Sequence, residues 1–273
     1  MAIEKTTTEE HHYTILQPHA HFPSIQPETV FSIGNFPVVN TTLMLMLSVF
    51  VVLLATILLV RNISLIPNTF QNIVEMIYEA ILGLIEQLVG DKERALKAVP
   101  VLGSVMVFIG LSNFMGHIPL LTSIKWGGES VFRSATSDFN TTFALAVGSI
   151  LVIQIIGFRE NGVGYLGHFF KFKEVYNGFR KSIAEGMISI VEFFVGLLEL
   201  IGEFIRIISL SLRLFGNMFA GKVVMAIALG SFAYILPALW LGFEFLVALV
   251  QALVFTSLIT VYYAMVLKKD GEH

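Results

Sequence analysis

The sequence predicts an all-α polytopic membrane protein with about five transmembrane helices plus an amphipathic helix, the last two helices forming a long tilted hairpin. Three observations carry this. Apolar residues fill 55% of the 273 positions and charged residues only 14%, where soluble domains carry roughly a quarter charged. The apolar residues gather into blocks such as Leu43 to Val60 and Leu246 to Val266, and a bilayer core takes about 20 such residues per helix. One block, from about Ser182 to Leu229, is too long to stand upright: at ~1.5 Å per residue it reaches roughly 70 Å, about twice the hydrocarbon thickness.

Taken in order, residues 1–37 are polar and sprinkled with His and Pro, with no apolar core of a cleavable signal before the first span. They form an extracytoplasmic segment in which His11, His12, His19 and His21 read as a polar tail rather than a metal site. The first transmembrane helix covers 38–60 and stops at Arg61. Within the following cytoplasmic or interfacial stretch 61–97, Phe70, Ile73, Ile77, Ile81 and Ile85 recur at helical spacing with Glu75, Glu79 and Glu86 between them. That pattern predicts an amphipathic helix over 68–89. The second span covers 98–121, an extracytoplasmic loop 122–141, the third span 142–158 and a cytoplasmic loop 159–181. The long tilted helix covers 182–229. Gly230-Ser231 and Pro237 mark a turn, and a returning helix covers 232–267 before the tail 268–273.

If spans alternate, Arg61, Lys92, Arg94, Lys97, Arg159, Lys171, Lys173, Arg180, Lys181, Lys268 and Lys269 share one side, against Lys5, Lys125 and Arg133 on the other. The positive-inside rule then sets the N-terminus outside and the C-terminus in the cytoplasm. The chain has no cysteine, which excludes disulfides, thiolate catalysis and cysteine-rich metal sites. A net charge of -3 without a basic run argues against nucleic acid. No HExxH or GxSxG is present, so an intramembrane hydrolase has no nucleophile or metal site to work with.

Chemistry concentrates in the final hairpin. Glu192, Glu199, Glu203, Arg206, Arg213 and Asn217 fall at spacings of 7, 4, 3, 7 and 4, on one helical stripe. Glu244 and Gln251 share a face of the returning helix. A charge at bilayer depth costs about 2.5–3.5 kcal/mol on insertion scales, so such a stripe implies a polar partner or a water-filled groove. Internal neutralisation, as of Glu203 by Arg206, is the bland alternative. It does not extend to Arg213, which has no acid three or four positions away. Measured from a turn near Phe232, Arg213 and Gln251 are each nineteen residues distant, and Lys222 and Glu244 ten and twelve. Gln251 is therefore expected level with Arg213, and Glu244 level with Lys222.

The run Ser209-Leu-Ser-Leu-Arg213-Leu-Phe-Gly-Asn217-Met-Phe-Ala-Gly221 resembles the signature of subunit a of F-type ATP synthases. Asn113-Phe-Met-Gly-His-Ile-Pro119 is similar to the family motif closing the second span. Thr136-Ser-Asp138-Phe-Asn140-Thr-Thr-Phe-Ala-Leu-Ala is similar to the motif opening the next. Leu198-Glu199-Leu-Ile-Gly-Glu203-Phe-Ile and Gln251-Ala-Leu-Val-Phe match in order and spacing. Four positions depart from the family pattern. Ile207 and Leu198 stand where prolines are common, and Lys222 stands where an acid is common while Glu244 stands where some members carry histidine. The last exchange reverses the polarity of an ionisable pair and suggests that Lys222 and Glu244 pair directly.

The resemblance implies a stator subunit that carries ions to a rotating ring of c subunits through two offset half-channels, coupling their flow to rotary ATP synthesis. It implies Arg213 as the fixed cation facing the ring carboxylate. It implies an outer path through Asp138, His117, Asn217, Lys222, Glu244 and Gln251, and a cytoplasmic path through Glu199, Glu203 and Ser209. Partners would be the c-ring, b-type peripheral stalk subunits, the remainder of the synthase and membrane lipid. Neither cofactor nor metal is expected, the chain would be no enzyme by itself, and its place would be the plasma (inner) membrane of a bacterium. His117 also suits a helix cap, and Asp138 an N-cap. The rival function is a stand-alone ion channel or secondary transporter, though the internal repeats common in transporters are absent from the sequence.

Overall fold

The computed structural model describes residues 24–231 and 235–268, apart from positions 25, 35, 62, 127, 128 and 163–182. The four N-terminal histidines lie outside the described residues, as does most of the loop before the long helix. The segment ahead of the first span carries a short piece of regular structure that the sequence reading did not mark. Thr29–Ile33 (β1) and Phe36–Val39 (β2) form an antiparallel hairpin, turned at Gly34 with φ of 63°. The signal was legible: a Gly-Asn step between two β-branched and aromatic runs reads as a hairpin.

Helix α1, Asn40–Arg61, follows the hairpin directly. Helix α2, Thr69–Val89, is closed by Gly90, which at φ 77° donates its N–H to the Glu86 carbonyl. It is two-faced as expected: Ile81, Ile85 and Val89 are buried, while Phe70, Ile73, Met76 and Ile77 are exposed. Helix α3, Lys92–Gly116, begins six residues before the expected boundary, because the Asp91 side chain accepts the Glu93 N–H at 2.9 Å and caps it there. It stops short of residue 121 because Pro119 opens a separate turn, α4, Pro119–Thr122. A two-residue ladder follows, Lys125–Trp126 (β3) with Glu129–Ser130 (β4). After a 3-10 turn at Ala135–Ser137 comes α5, Phe139–Asn161.

Helix α6, Ile183–Ser231, runs 49 residues without interruption and α7, Ile235–Lys268, runs 34. Helices α1, α3, α5 and α7 are each long and apolar enough to cross a membrane. Helix α6 instead carries Glu192, Glu199, Glu203, Arg206, Arg213 and Lys222 along its length. The core joins α2, α3, α5, α6 and α7 through Ile85, Ile109, Ala146, Ile150, Leu210, Leu214, Ala252, Phe255 and Ile259. Lipid tails are as apolar as leucine, so close fit rather than water exclusion holds such helices together. Small residues provide it: a Cβ on Gly110 of α3 would sit 3.6 Å from that of Ala252 on α7. Helix α1 joins the rest mainly at one end, where Met44 packs with Met115 and Ala135.

Candidate functional site

The face of α6 turned away from this core is its most informative surface. Leu210, Leu214 and Met218 are buried, whereas Ile201, Phe204, Ile205, Ile208 and Leu212 are exposed. Ser209, Arg213 and Asn217 belong to the same exposed stripe. Among the described residues no ion pair or hydrogen bond engages Arg213. A guanidinium thus stands on an apolar helix face with no ion pair to the described residues, an arrangement that calls for an anion.

Arg206, two turns earlier, is the contrast. Its Nη1 bonds Glu203 Oε1, and its guanidinium lies 3.9 Å over the Tyr262 ring of α7. Internal neutralisation, the bland alternative in the sequence, describes this pair. The clamp ties α6 to α7 by a charge-assisted bond and a cation–π contact.

On the other side of Arg213 lies a polar cluster. Asn217 Nδ2 donates to Gln251 Oε1, so Gln251 meets Asn217, one turn beyond the Arg213 level expected from residue counting. The offset arises because side chains lean toward their helix N-termini, in opposite directions on antiparallel helices. Next along the hairpin, the Glu244 carboxylate is buried, with His117 Nδ1 3.0 Å from Oε2 and Trp240 Nε1 donating to Oε1 at 2.9 Å. Gly221 makes the room: a Cβ there would be 2.5 Å from Oε1.

The expected Lys222–Glu244 pair does not form. Lys222 Nζ donates to Ser137 Oγ at 2.8 Å, and no hydrogen bond or ion pair joins it to Glu244 among the described residues. Instead, α3 supplies His117 to the carboxylate and the 3-10 turn supplies a hydroxyl to the lysine. Both residues nonetheless line one cavity of about 330 Å³, together with Glu28, Asn40, His117, Ser130 and Arg133.

Arg133, unremarked in the sequence beyond its charge, organises the mouth of that cavity. It is buried and donates to Ser24 O at 2.6 Å, Gln26 O at 3.1 Å, Ser24 Oγ at 3.2 Å and Ser137 Oγ at 3.2 Å. The segment before β1 is thereby fastened over the start of α5. Burial holds this guanidinium below its ordinary pKa, against Glu28 and Asp138, which favour the charged form; arginine stays protonated under such a load. Asp138 itself caps α5, accepting from Asn140 N at 3.0 Å and from Thr41 Oγ1 at 3.1 Å. Its carboxylate fastens α5 to α1 and is not among the residues lining the cavity. His117 terminates α3, the cap role considered for it, and its ring also reaches Glu244. Glu199 and Glu203 lie part-buried on the opposite side of Arg213, and Ser209 exposed. The residues missed by sequence reasoning, Trp240, Gly221, Ser137 and Arg133, act through partners distant in the chain. Only Trp240 offered a local sign, being one turn from Glu244.

Comparison with known proteins identifies the family. The family model for the ATP synthase A chain matches residues 42–264, a span that holds Arg213, His117, Lys222 and Glu244. ATP synthase subunit a of Moorella thermoacetica is 30% identical over 88% of this chain and 96% of its own length. ATP synthase subunit a 2 of Syntrophotalea carbinolica is 32% identical, over 85% of this chain and 86% of that protein. ATP synthase subunit a of Desulfotalea psychrophila is 35% identical over 74% of both. With its long apolar helices, exposed mid-helix arginine and these relatives, the chain is a multi-pass membrane protein that belongs to the ATP synthase subunit a family.

Proposed function

We propose that this chain is the ion-translocating stator subunit of the membrane sector of an F-type ATP synthase, with the exposed face of α6 set against a ring of c subunits. The observation that carries the reading is Arg213: a permanent cation on an exposed apolar stripe, with no internal partner among the described residues. A ring carboxylate surrounded by lipid is driven neutral by burial; brought beside a fixed cation it is driven to ionise. Arginine suits the role because it keeps its proton where lysine can lose it. A carboxyl arriving at Arg213 therefore releases its proton, and one leaving into lipid must first take one up.

For that cycle to turn the ring in one direction, the two exchanges must open to opposite sides. On the outer side, His117, Lys222, Glu244, Asn217 and Gln251 form the path, with Asp138 anchoring α5 beside it. On the cytoplasmic side, Glu199, Glu203 and Ser209 form the other path, and Arg213 between them blocks direct leakage. One charge moving through ~150 mV releases roughly 3.5 kcal/mol, so several ions pass for each ATP made. The chain itself breaks no covalent bond; it couples ion flow to chemistry performed elsewhere in the complex. The b-type stalk would hold it still. In this reading it sits in a bacterial plasma membrane, N-terminus outside and C-terminus cytoplasmic.

The absence of native cysteine makes the test clean. Single cysteines at Asn217, Glu244 and Gln251 should react with a small polar thiol reagent added outside, and those at Glu203 and Ser209 with reagent added inside. A cysteine at Leu212 should cross-link to a c subunit in the native membrane. Equal labelling of both groups from one side, with no cross-link to a ring, would point to the stand-alone channel instead.

A further inference from the structure

One wall of the cavity of about 330 Å³ comes from beyond the span that the family model matches. Ser24, Glu28 and Asn40 line it, whereas the match begins at residue 42. The N-terminal hairpin brings these residues there. Gly34 turns the chain back so that Thr29 pairs with Val39, and one step further the Glu28 carbonyl accepts the Asn40 N–H at 3.0 Å. Asn40, fully buried at the start of α1, steadies the Glu28 side chain, its Nδ2 3.4 Å from Oε2. Ser24 Oγ stands 3.3 Å from Oε1 and accepts from Arg133 Nη1 at 3.2 Å. A half-buried carboxylate is thereby held at the edge of the cavity.

Two cations on the same cavity share one hydroxyl. Lys222 Nζ donates to Ser137 Oγ at 2.8 Å, and Arg133 Nε donates to it at 3.2 Å. Apart from His117, the ionisable side chains lining the cavity among the described residues are Lys222, Arg133, Glu244 and Glu28. Without Glu28 the wall would carry two cations against one carboxylate. A cation arriving from outside would then be repelled, in a space whose low-dielectric walls concentrate the field.

We infer that the N-terminal hairpin serves ion entry: it delivers Glu28 as a fixed counter-charge to Lys222 and Arg133, so that the outer cavity admits cations. This rests on reading the chain as an ion-translocating subunit and gives the hairpin a part in that path. Glu28 acts through its charge, not by taking up or releasing a proton. It need not touch the passing ion, because its effect reaches across the cavity through the field.

The test measures that field. In the assembled holoenzyme in right-side-out membrane vesicles, Thr122→Cys places a thiol in the cavity wall, the chain having no cysteine of its own. Its reaction from outside is timed with two methanethiosulfonate reagents, one bearing a trimethylammonium group and one a sulfonate. Loss of one negative charge should slow the cation and speed the anion by about threefold each, so Glu28→Gln should lower the cation-to-anion rate ratio about tenfold. Glu28→Asp should keep the ratio, and Lys222→Gln added to Glu28→Gln should restore it. An exposed thiol from Ser123→Cys should show no such change. ATP synthesis driven by an imposed pH gradient in proteoliposomes should be slower in Glu28→Gln at low ionic strength on the outer face. Added salt there should restore it by screening the uncompensated cation. A ratio in Glu28→Gln within about twofold of wild type, or no recovery in the double variant, would overturn the counter-charge. So would both reagents speeding up together, which would make the hairpin a mere cover, or wild-type synthesis by Glu28→Gln in low salt. Normal synthesis by Arg213→Ala would remove the subunit reading itself, whereas an unmoved ratio beside an inactive Arg213→Ala strikes the counter-charge alone.

Discussion

Gly116→Ala is the perturbation whose consequence is most directly calculable. A Cβ at 116 would lie 2.5 Å from both Cβ and Oγ of Ser134 and 3.1 Å from its Cα. The neighbour is backbone and a fully buried side chain, so no flexible end can swing aside. Nor can the strand of chain retreat freely. The Ser134 carbonyl accepts from Ser137 N at 3.1 Å and from Ser137 Oγ at 2.7 Å. Thr136 Oγ1 donates to Asn113 Oδ1 at 2.6 Å, which ties the same turn to α3. Overpacking of this kind costs about 1–3 kcal/mol, and each buried hydrogen bond broken in relief adds about 1–3 kcal/mol. The sum is about 2–6 kcal/mol with one such bond broken, or roughly 4–24 °C in Tm at about 2–4 °C per kcal/mol. Thermal unfolding of the detergent-solubilised chain reads it out. Adding Ser134→Gly removes the two closest atoms and should recover part of the loss. A Gly116→Ala protein melting within a degree of wild type would refute the packing described for this turn.

Other predictions follow from the same contacts. Exchanging Lys222→Glu with Glu244→Lys should give no rescue of ATP-driven pumping over either single change, because the swap places an ammonium against His117 and the Trp240 N–H; partial recovery would revive direct pairing. Asp138→Asn keeps an oxygen for Asn140 N and Thr41 and should leave pumping and stability near wild type. Asp138→Ala should cost about 1 kcal/mol or somewhat more in thermal unfolding, and a pumping defect in Asp138→Asn would return Asp138 to the path. Arg206→Ala strands Glu203 part-buried and should cost about 2–3 kcal/mol, less than a fully buried pair. Adding Glu203→Gln should recover most of that in the same unfolding assay, and failure to do so would locate the loss in the Tyr262 contact instead.

How much of this was legible beforehand divides along a physical line. Helices were, because a bilayer demands long apolar blocks and caps such as Asp91 and Gly90 announce themselves locally. The polar stripe of α6 was legible for the same reason: 3.6-residue periodicity needs no knowledge of neighbours. Arg213 stood out since no acid lay within a turn of it. What the sequence hid were choices of partner. Lys222 and Glu244 share depth, yet each found a closer group on an element far away in the chain, Ser137 and His117. Residue counting about the turn missed the Asn217–Gln251 contact by one helical turn because it ignored side-chain lean. Arg133 looked like a loop cation, and only folding showed it fastening the N-terminal segment to α5.

The central claim is that Arg213 is the cation opposite a ring carboxylate, and proton-driven ATP synthesis by the Arg213→Ala holoenzyme tests it most directly. Assembly and ATP hydrolysis by the soluble catalytic part should survive, since Arg213 holds no hydrogen bond or ion pair within this chain among the described residues. Synthesis driven by an imposed pH gradient and potential should fall to background. Synthesis at the wild-type rate by an assembled Arg213→Ala enzyme would contradict the account.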